Sequence, residues 1–281
     1  MSNSGHIVLC YGITKDPETN NFMMVMKYIK NGSLRQHLNN NFNSLNWAEK
    51  LYNLWNIAYG LSEIHDKGLI HHDFHGGNIL CDEIHSYITD LGLCKPANEK
   101  ISQDSNKKIY GVLPYVAPEV LRGKEYTQAS DIYGFGIIAY EVCTGLPPYH
   151  DIAHDQFLAA KICQGSRPKS DYKIPQLILD IISQCWDADP SKRPKADKLN
   201  DLLWNLRDDN EFRRDLLIHE QIKEVNEINK KLPALAATSL STGILSYTTH
   251  AQAIYTSRLL DFKNLPEPKN ADDNEAEYTG N

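Results

Sequence analysis

Apolar residues recur at helical spacing between residues 46 and 66. The apolar positions are Leu51, Leu54, Ala58 and Leu61. This period indicates an amphipathic helix with one buried face. Asn46 is a suitable N-cap, Glu49 completes a capping-box pattern three residues later, and Gly68 supplies a stop signal. The pattern therefore predicts a long helix over 46–66.

Further helices are predicted downstream. Residues 131–144 are apolar nearly all round, which indicates a helix buried on every side. Residues 175–186 and 195–207 have the pattern of two more helices. Residues 212–232 form a separate helical stretch with one apolar stripe. That stripe could dock on the main body or pair with a partner, and both alternatives stay open.

Short apolar runs bounded by turn residues predict two hairpins. The first is formed by residues 6–13 and 22–29, on either side of a turn-rich loop. Its second strand is rich in methionine and is expected to be buried. The second hairpin is formed by residues 79–81 and 87–89. Helices and strands together indicate an α+β fold class.

The composition narrows the range of partners. The chain has 281 residues and a net charge of −7, so no general attraction to nucleic acid or to an anionic membrane is expected. Its six cysteines are scattered, and no apolar run is as long as a membrane span. We expect a cytoplasmic protein with reduced thiols, with a nuclear location as the alternative. The oligomeric state stays open.

Three oxygen-bearing side chains surround the second hairpin. Asp73 and Asn78 precede its first strand, and Asp90 follows its second strand. The hairpin should hold all three close together at its mouth. Carboxylate and amide oxygens suit a hard cation, above all Mg²⁺ carried by a nucleotide.

The same stretch reads H-x-D-x-x-x-x-N from His71 to Asn78, followed by D-x-G from Asp90. The further motifs, in order, are Y-V-A-P-E at 115–119, S-D-I-Y-G-F-G at 130–136, C-W at 185–186, D-P at 189–190 and R-P at 193–194. In this order they resemble the catalytic domain of a eukaryotic protein kinase. The forms D-F-H-G-G-N and G-V-L-P-Y-V-A-P-E are most similar to the tyrosine-kinase-like group.

The resemblance implies a protein-kinase-like α+β fold that uses ATP and Mg²⁺ to phosphorylate a hydroxyl of a protein substrate. It implies the end of an N-lobe with the hinge at 1–31 and a complete, mainly helical C-lobe at 32–210. A C-terminal helix at 211–232 and a mostly disordered tail at 233–281 would follow. Within that tail, residues 245–262 carry enough apolar side chains to order on a surface.

The resemblance also implies individual roles in catalysis. Asp73 would accept the proton of the attacking hydroxyl, and Asn78 and Asp90 would hold the metal ions. The expected nucleotide contacts are Met26 as gatekeeper, Tyr28 in the hinge, Leu80 against the adenine, and Asp90 through the metal.

Four more residues would support the site. His71 belongs to the catalytic-loop motif, and Asp131 would accept hydrogen bonds from the loop backbone. Glu119 and Arg193 should form a buried ion pair that holds the activation segment on the lobe.

Several parts of the family pattern are missing or changed. No glycine-rich loop, strand Lys or helix Glu precedes His6, so we expect negligible activity from the chain as written. His72 replaces the Arg that usually contacts activation-loop phosphate. Phosphorylation of Ser102 or Ser105 should therefore switch the enzyme weakly or not at all.

The substrate class is indicated only by the group resemblance, since the tyrosine-kinase-like group mostly phosphorylates Ser and Thr. His75 replaces the Lys of most Ser/Thr kinases, and Val112 replaces their Thr. These two changes weaken the Ser/Thr expectation without favouring Tyr.

Two alternatives remain at this stage. The chain could be a pseudokinase-like binding or scaffold protein that folds without responding to Mg-ATP. It could also be a metal hydrolase, because His71, His72, Asp73 and His75 superficially suit zinc. The downstream kinase motifs would then be unexplained.

Overall fold

The first long helix determines how the rest of the lobe is arranged. A computed structural model describes residues 5–97, 109–208, 216–232 and 247–271. Helix α2 (Trp47–Asp66) begins after Asn46, whose side chain accepts from the Glu49 N–H at 3.0 Å while Glu49 accepts from the Asn46 N–H at 2.7 Å. Its predicted apolar face is buried, and Gly68 follows with φ +69°. The prediction for this helix is confirmed.

Helix α4 (Gln128–Thr144) forms the centre of the lobe. It begins three residues earlier than predicted, because Thr127 caps it in a capping box with Ser130. Every side chain from Ser130 to Thr144 is buried, and Gly145 ends the helix with φ +75°. The predicted central buried helix is confirmed.

The other helices surround these two. They are α1 (Leu34–Asn41), α3 (Pro118–Leu121), α5 (Gln156–Cys163), α6 (Gln176–Cys185), α7 (Ala196–Asp208) and α8 (Leu216–Asn229). Helix α7 packs along α2, and α6 packs on α4. Among the described residues, no helix is both long and apolar enough to cross a membrane.

Helix α8 docks on the lobe, which decides between the two alternatives for its apolar stripe. Ile218 and Val225 are buried in the main core. Asn226 Oδ1 accepts from the Trp47 indole N–H at 3.1 Å, and the Asn229 side chain bonds both backbone groups of Lys173.

The first hairpin is shorter and far more exposed than predicted. Strand β1 (Cys10–Lys15) pairs antiparallel with β2 (Phe22–Met26). Side chains from Phe22 to Val25 are exposed, so the expectation of a buried methionine-rich strand is wrong. The physical reason is that burial depends on a second layer, and the described residues place none over this pair.

The second hairpin has the predicted form. Strand β4 (Ile79–Cys81) pairs antiparallel with β5 (Ser86–Ile88), one residue earlier than predicted for the second strand. Its turn is held by Asp82, whose Oδ1 accepts from the N–H groups of Ile84 and His85. Strand β3 (Leu69–Ile70) pairs with β6 (Lys95–Pro96). It follows α2 in the chain and leads into the loop at 71–78, which precedes the second hairpin.

The part of the tail that is predicted to order does so, since residues 247–262 of the predicted 245–262 are described and lie on the lobe. The described part of the tail, residues 247–271, is here called the C-terminal strap. Strand β8 (Arg258–Leu260) pairs antiparallel with β7 (Ile109–Gly111), and Leu260 is buried in the core. The physical reason is this pairing, which satisfies backbone groups that a free tail would leave to water. The rest of 233–281 lies outside the described residues, as do Ser102 and Ser105. The domain limits stay a prediction.

The predicted ion pair between Glu119 and Arg193 is formed and buried. Arg193 Nη1 and Nη2 lie 2.7 and 2.8 Å from the two carboxylate oxygens of Glu119. The guanidinium also donates to the carbonyls of Ala129 and Asp187, each at 2.9 Å. The forked geometry joins α3, which directly follows residues 112–117, to the loop before α7.

Lys50 is a buried cation within α2. Its side chain is 1% exposed, and its ammonium donates to the Cys143 carbonyl at 3.1 Å and to the Tyr172 hydroxyl at 3.3 Å. The ring of Phe42 lies 3.9 Å from Nζ, so a cation–π contact adds to these bonds. Burial lowers the pKa of Lys50 to about 8.

The Lys50 pKa predicts a pH-dependent stability difference. Between pH 8 and the ordinary lysine pKa of 10.5, the unfolded chain binds the proton that the folded chain has released, so stability rises with pH. Relative to Lys50→Met, the wild-type free energy of unfolding should rise by about 1 kcal/mol between pH 7 and pH 9. Urea unfolding of both proteins at each pH measures this. A difference that stays constant would show that the ammonium keeps its proton.

Glu119→Gln should leave the buried Arg193 without its counter-charge. Removing one partner of a buried pair costs about 3–5 kcal/mol, so we expect a loss near the lower limit because Gln can still accept one hydrogen bond. Urea denaturation measures the change. Glu227→Gln, which breaks an exposed pair with Lys230, is the control and should leave the midpoint unchanged. Equal effects of the two variants would contradict the structural role of Glu119.

Candidate active site

Asp131 holds the loop that carries the candidate base. It lies in the first turn of α4 and is 2% exposed. Its Oδ2 accepts from the backbone N–H of His71 at 2.8 Å, and its Oδ1 accepts from that of His72 at 3.2 Å. A ring nitrogen of His65 lies 3.0 Å from Oδ2. The start of the loop is therefore fixed by hydrogen bonds to a single carboxylate.

His71 connects this loop to the end of the second hairpin. Its Nε2 lies 3.0 Å from the carbonyl oxygen of Thr89, which requires the proton on Nε2. Burial lowers the pKa of His71, so the ring is neutral at physiological pH. Because Thr89 directly precedes Asp90, the bond fixes the backbone at Asp90 relative to the loop at 71–78.

Asp73 is buried and flanked by polar groups from its own loop. The Asn78 amide nitrogen donates to the Asp73 carbonyl at 2.9 Å. The Gly77 N–H donates to His75 Nδ1 at 3.0 Å, so Nε2 is the ring nitrogen that carries a proton, and it lies 3.5 Å from Asp73 Oδ2.

The Asp73 carboxylate is ionised at neutral pH. Burial alone would raise the pKa of Asp73, but hydrogen bonds from His75 and Ser257 outweigh burial and hold the pKa below its usual value. The carboxylate is therefore available to accept a proton from a donor.

Asn78 and Asp90 supply oxygens at the mouth of the hairpin. Asp90 has a left-handed backbone conformation, with φ 56°, and is exposed. The Asn78 amide nitrogen donates to the Asp73 carbonyl, so this bond does not involve the Asn78 side-chain oxygen, which is the atom that could bind a cation. Two such donors fit Mg²⁺, which keeps water and phosphate oxygens as its other ligands.

The zinc alternative fails on the geometry. Within the described ranges, no three His, Cys, Asp or Glu side chains are grouped closely enough to hold a metal ion. His71 uses Nε2 on a carbonyl, and the His72 ring stacks on Tyr126 with centroids 4.6 Å apart. Of the four histidine and aspartate side chains at 71–75, only His75 and Asp73 therefore lie within salt-bridge distance of each other, and they do not form a three-ligand site.

The residues expected to contact the nucleotide are partly brought together. Met26 and Leu80 pack against the same small apolar cluster, which contains Val8 and Ile29. Tyr28 does not join them, because its side chain is 85% exposed. The structure therefore forms an apolar patch from the end of β2 and from β4, and excludes the Tyr28 ring from it.

His72 stands in the left-handed region with φ 73°, where non-glycine residues are uncommon. Burial lowers the pKa of its ring, so it is mostly uncharged at neutral pH. A neutral ring stacked on Tyr126 is a poor receptor for phosphate. The expectation of weak switching through Ser102 or Ser105 stays a prediction, because both residues lie outside the described ranges.

Sequence reasoning missed a buried network beneath the loop. Glu141 of α4 accepts from the Tyr115 hydroxyl at 2.6 Å and contacts the Arg35 guanidinium. A Cβ atom on Gly76 would stand 2.8 Å from Glu141 Oε2, so only glycine lets the loop approach this closely. The G-G pair in the loop was the one available signal.

Sequence reasoning also missed Ser257. This residue belongs to the C-terminal strap, and no local pattern marks it. Its proximity to Asp73 follows from the β7–β8 pairing, which joins residues far apart in the chain.

Comparison with known proteins places these features in a family. A family model described as protein tyrosine and serine/threonine kinase matches residues 1–203. The chain is 30% identical over 205 residues to a probable serine/threonine-protein kinase of Dictyostelium discoideum, covering 72% of this chain and 14% of that protein. It is 27% identical over 197 residues to a tyrosine-protein kinase of Girardia tigrina, covering 67% of this chain and 39% of that protein.

A third relative is a protein kinase and PP2C-like domain-containing protein of Arabidopsis thaliana, 29% identical over 211 residues. The match covers 64% of this chain and 32% of that protein, so the chain spans less than half the length of each of these relatives. The family match covers well over half of the chain and includes the loop at 71–78. This chain belongs to the protein tyrosine and serine/threonine kinase family.

Proposed function

We propose that this chain carries the catalytic loop of a protein kinase that transfers the γ-phosphoryl group of ATP to Ser and Thr hydroxyls of protein substrates. The observation that carries the proposal is the ionised Asp73 carboxylate on a loop fixed by Asp131. Geometry and protonation state together suit a group that accepts a proton from an attacking hydroxyl.

Asp73 acts as the base in this proposal. A substrate hydroxyl would donate its hydrogen bond to the Asp73 carboxylate and lose its proton there as the new oxygen–phosphorus bond forms. His75 orients the carboxylate through Nε2–H, and Asn78 fixes the Asp73 backbone. Such catalysis is mostly positioning and charge stabilisation.

Asn78 and Asp90 would hold the magnesium ion, and Met26 and Leu80 would pack against the adenine. When bound, Mg-ATP supplies the phosphoryl group and the cation that neutralises its charge. The exposed Tyr28 ring suggests that any contact from Tyr28 is made by its backbone.

The preference for Ser and Thr is supported by the names of several relatives, which are called probable serine/threonine-protein kinases. One relative is called a tyrosine-protein kinase, so the family alone does not decide the acceptor. The six cysteines are all free thiols, which supports a cytoplasmic location.

A scaffold function without catalysis is the second candidate. The observation that favours it is that His75 and Val112 stand where most Ser/Thr kinases have a Lys and a Thr. Each missing electrostatic contact typically costs about 10²–10³ in rate.

Asp73→Asn tests the proposed base. In a chain extended at its N terminus by a glycine-rich loop, a strand lysine and a helix glutamate, the variant should lose phosphoryl transfer to a general protein substrate by at least about 10³-fold. The amide cannot accept the proton but keeps the shape, so the unfolding midpoint should change little. Labelled-phosphate incorporation and urea denaturation measure the two effects.

Asp180→Asn, at an exposed position on α6, is the matched control and should keep full transfer. Retained transfer in Asp73→Asn would remove Asp73 as the base. Absence of both transfer and Mg-ATP binding in the extended parent chain would favour the scaffold function.

A further inference from the structure

The C-terminal strap crosses the active site next to Asp73. Strand β8 runs antiparallel to β7, with Arg258 opposite Gly111 and Leu260 opposite Ile109. A Cβ atom on Gly111 would stand only 3.9 Å from Asp73 Oδ1. The pairing with β7 therefore carries the strap directly to the carboxylate proposed as the base.

Ser257 is the residue that reaches this carboxylate. It directly precedes β8 and is the chain neighbour of Arg258, which lies opposite Gly111. Its hydroxyl is near enough to Asp73 to help hold the pKa of that carboxyl below its usual value, and toward an ionised carboxylate a hydroxyl can act only as a donor. A hydroxyl that donates to the base is the arrangement an acceptor residue needs before phosphoryl transfer.

The residues before Ser257 are fixed by specific contacts. The buried ring of His154 accepts from the Ile254 N–H at 3.1 Å through Nδ1, and its Nε2 lies 3.2 Å from the Tyr149 carbonyl. Tyr255 donates its hydroxyl to the Pro148 carbonyl at 3.0 Å. The strap is thus held in one position before it reaches the site.

The residues after Ser257 alternate between the lobe and solvent. Leu260 is 3% exposed, whereas Leu259 is 46% exposed. Arg258 donates to the His154 carbonyl. Leu260, three positions after Ser257, is therefore the apolar side chain that attaches this end of the strap to the core.

We propose that residues 254–260 occupy the protein-substrate site of this kinase fold in cis, with Ser257 where the acceptor hydroxyl of a substrate would lie. The proposal rests on the function proposed for Asp73. It also defines the substrate: an extended segment antiparallel to β7, with an apolar side chain three residues after the acceptor.

The test uses the full chain and a fluorescent synthetic peptide covering residues 251–265. Leu260→Asp puts a charge into the buried position and should release the strap. Leu259→Asp, on the exposed face of the same strand, is the matched control. We expect Leu260→Asp to bind the peptide at least tenfold more tightly than wild type, because the cis copy no longer competes, and Leu259→Asp to match wild type.

A second variant leaves the core untouched. Ser257→Glu places a carboxylate against Asp73, and like charges repel, so it should bind the peptide as Leu260→Asp does. Ser257→Ala should behave as wild type. In hydrogen exchange, the amides of Ile109–Gly111 should lose protection in both release variants and regain it when the peptide is added.

Equal peptide binding by wild type and both release variants would overturn the proposal, as would unchanged protection of β7 in them. None of these readouts uses ATP. If the extended parent chain transfers phosphate but the peptide does not replace the strap, only this proposal is overturned. If the peptide replaces the strap but the extended parent chain does not transfer phosphate, the proposed function is overturned and the strap is only a structural element.

Discussion

The whole site depends on one buried carboxylate, that of Asp131. Its two oxygens accept the N–H groups of His71 and His72, which no secondary structure would otherwise satisfy. The carboxylate also lies in the first turn of α4, where the helix dipole favours negative charge. Because α4 is buried on every side, these bonds attach the loop to the most tightly packed part of the lobe. The position of Asp73 therefore depends on this attachment.

Histidines give the site hydrogen bonds while adding little charge. Burial lowers the pKa values of His71 and His72, so both rings are mostly neutral at physiological pH. His71 donates to a carbonyl, and His72 stacks on a tyrosine. Beside Asp73, His75 acts both as a hydrogen-bond donor and through its charge interaction, and together with Ser257 it outweighs burial and keeps the pKa of that carboxyl below its usual value.

The elements predicted from sequence were those whose signals are local. The capping box of α2 involves residues three apart, and the hairpin at 79–88 is closed by a turn that Asp82 holds. Motif order located the loop at 71–78 because those residues are contiguous. The ion pair of Glu119 with Arg193 could be predicted only through the family resemblance, since 74 residues separate the partners.

The elements predicted wrongly depend on contacts that no local pattern encodes. Strand β2 is apolar, yet it is exposed because burial needs a covering layer. The apolar content of residues 245–262 predicted that the strap orders, but not that Ile109–Gly111 would pair with it. Tyr28 illustrates the same limit at one residue, since it lies two residues beyond the end of β2 and its ring is exposed.

The covalent attachment of the strap has a consequence for competing substrates. Fourteen residues, 233–246, connect the docked end of α8 to the strap. A covalently attached segment competes for its site as an intramolecular ligand, whose effective concentration does not fall when the protein is diluted. A separate protein substrate would therefore have to match that effective concentration before it displaced the strap from Asp73.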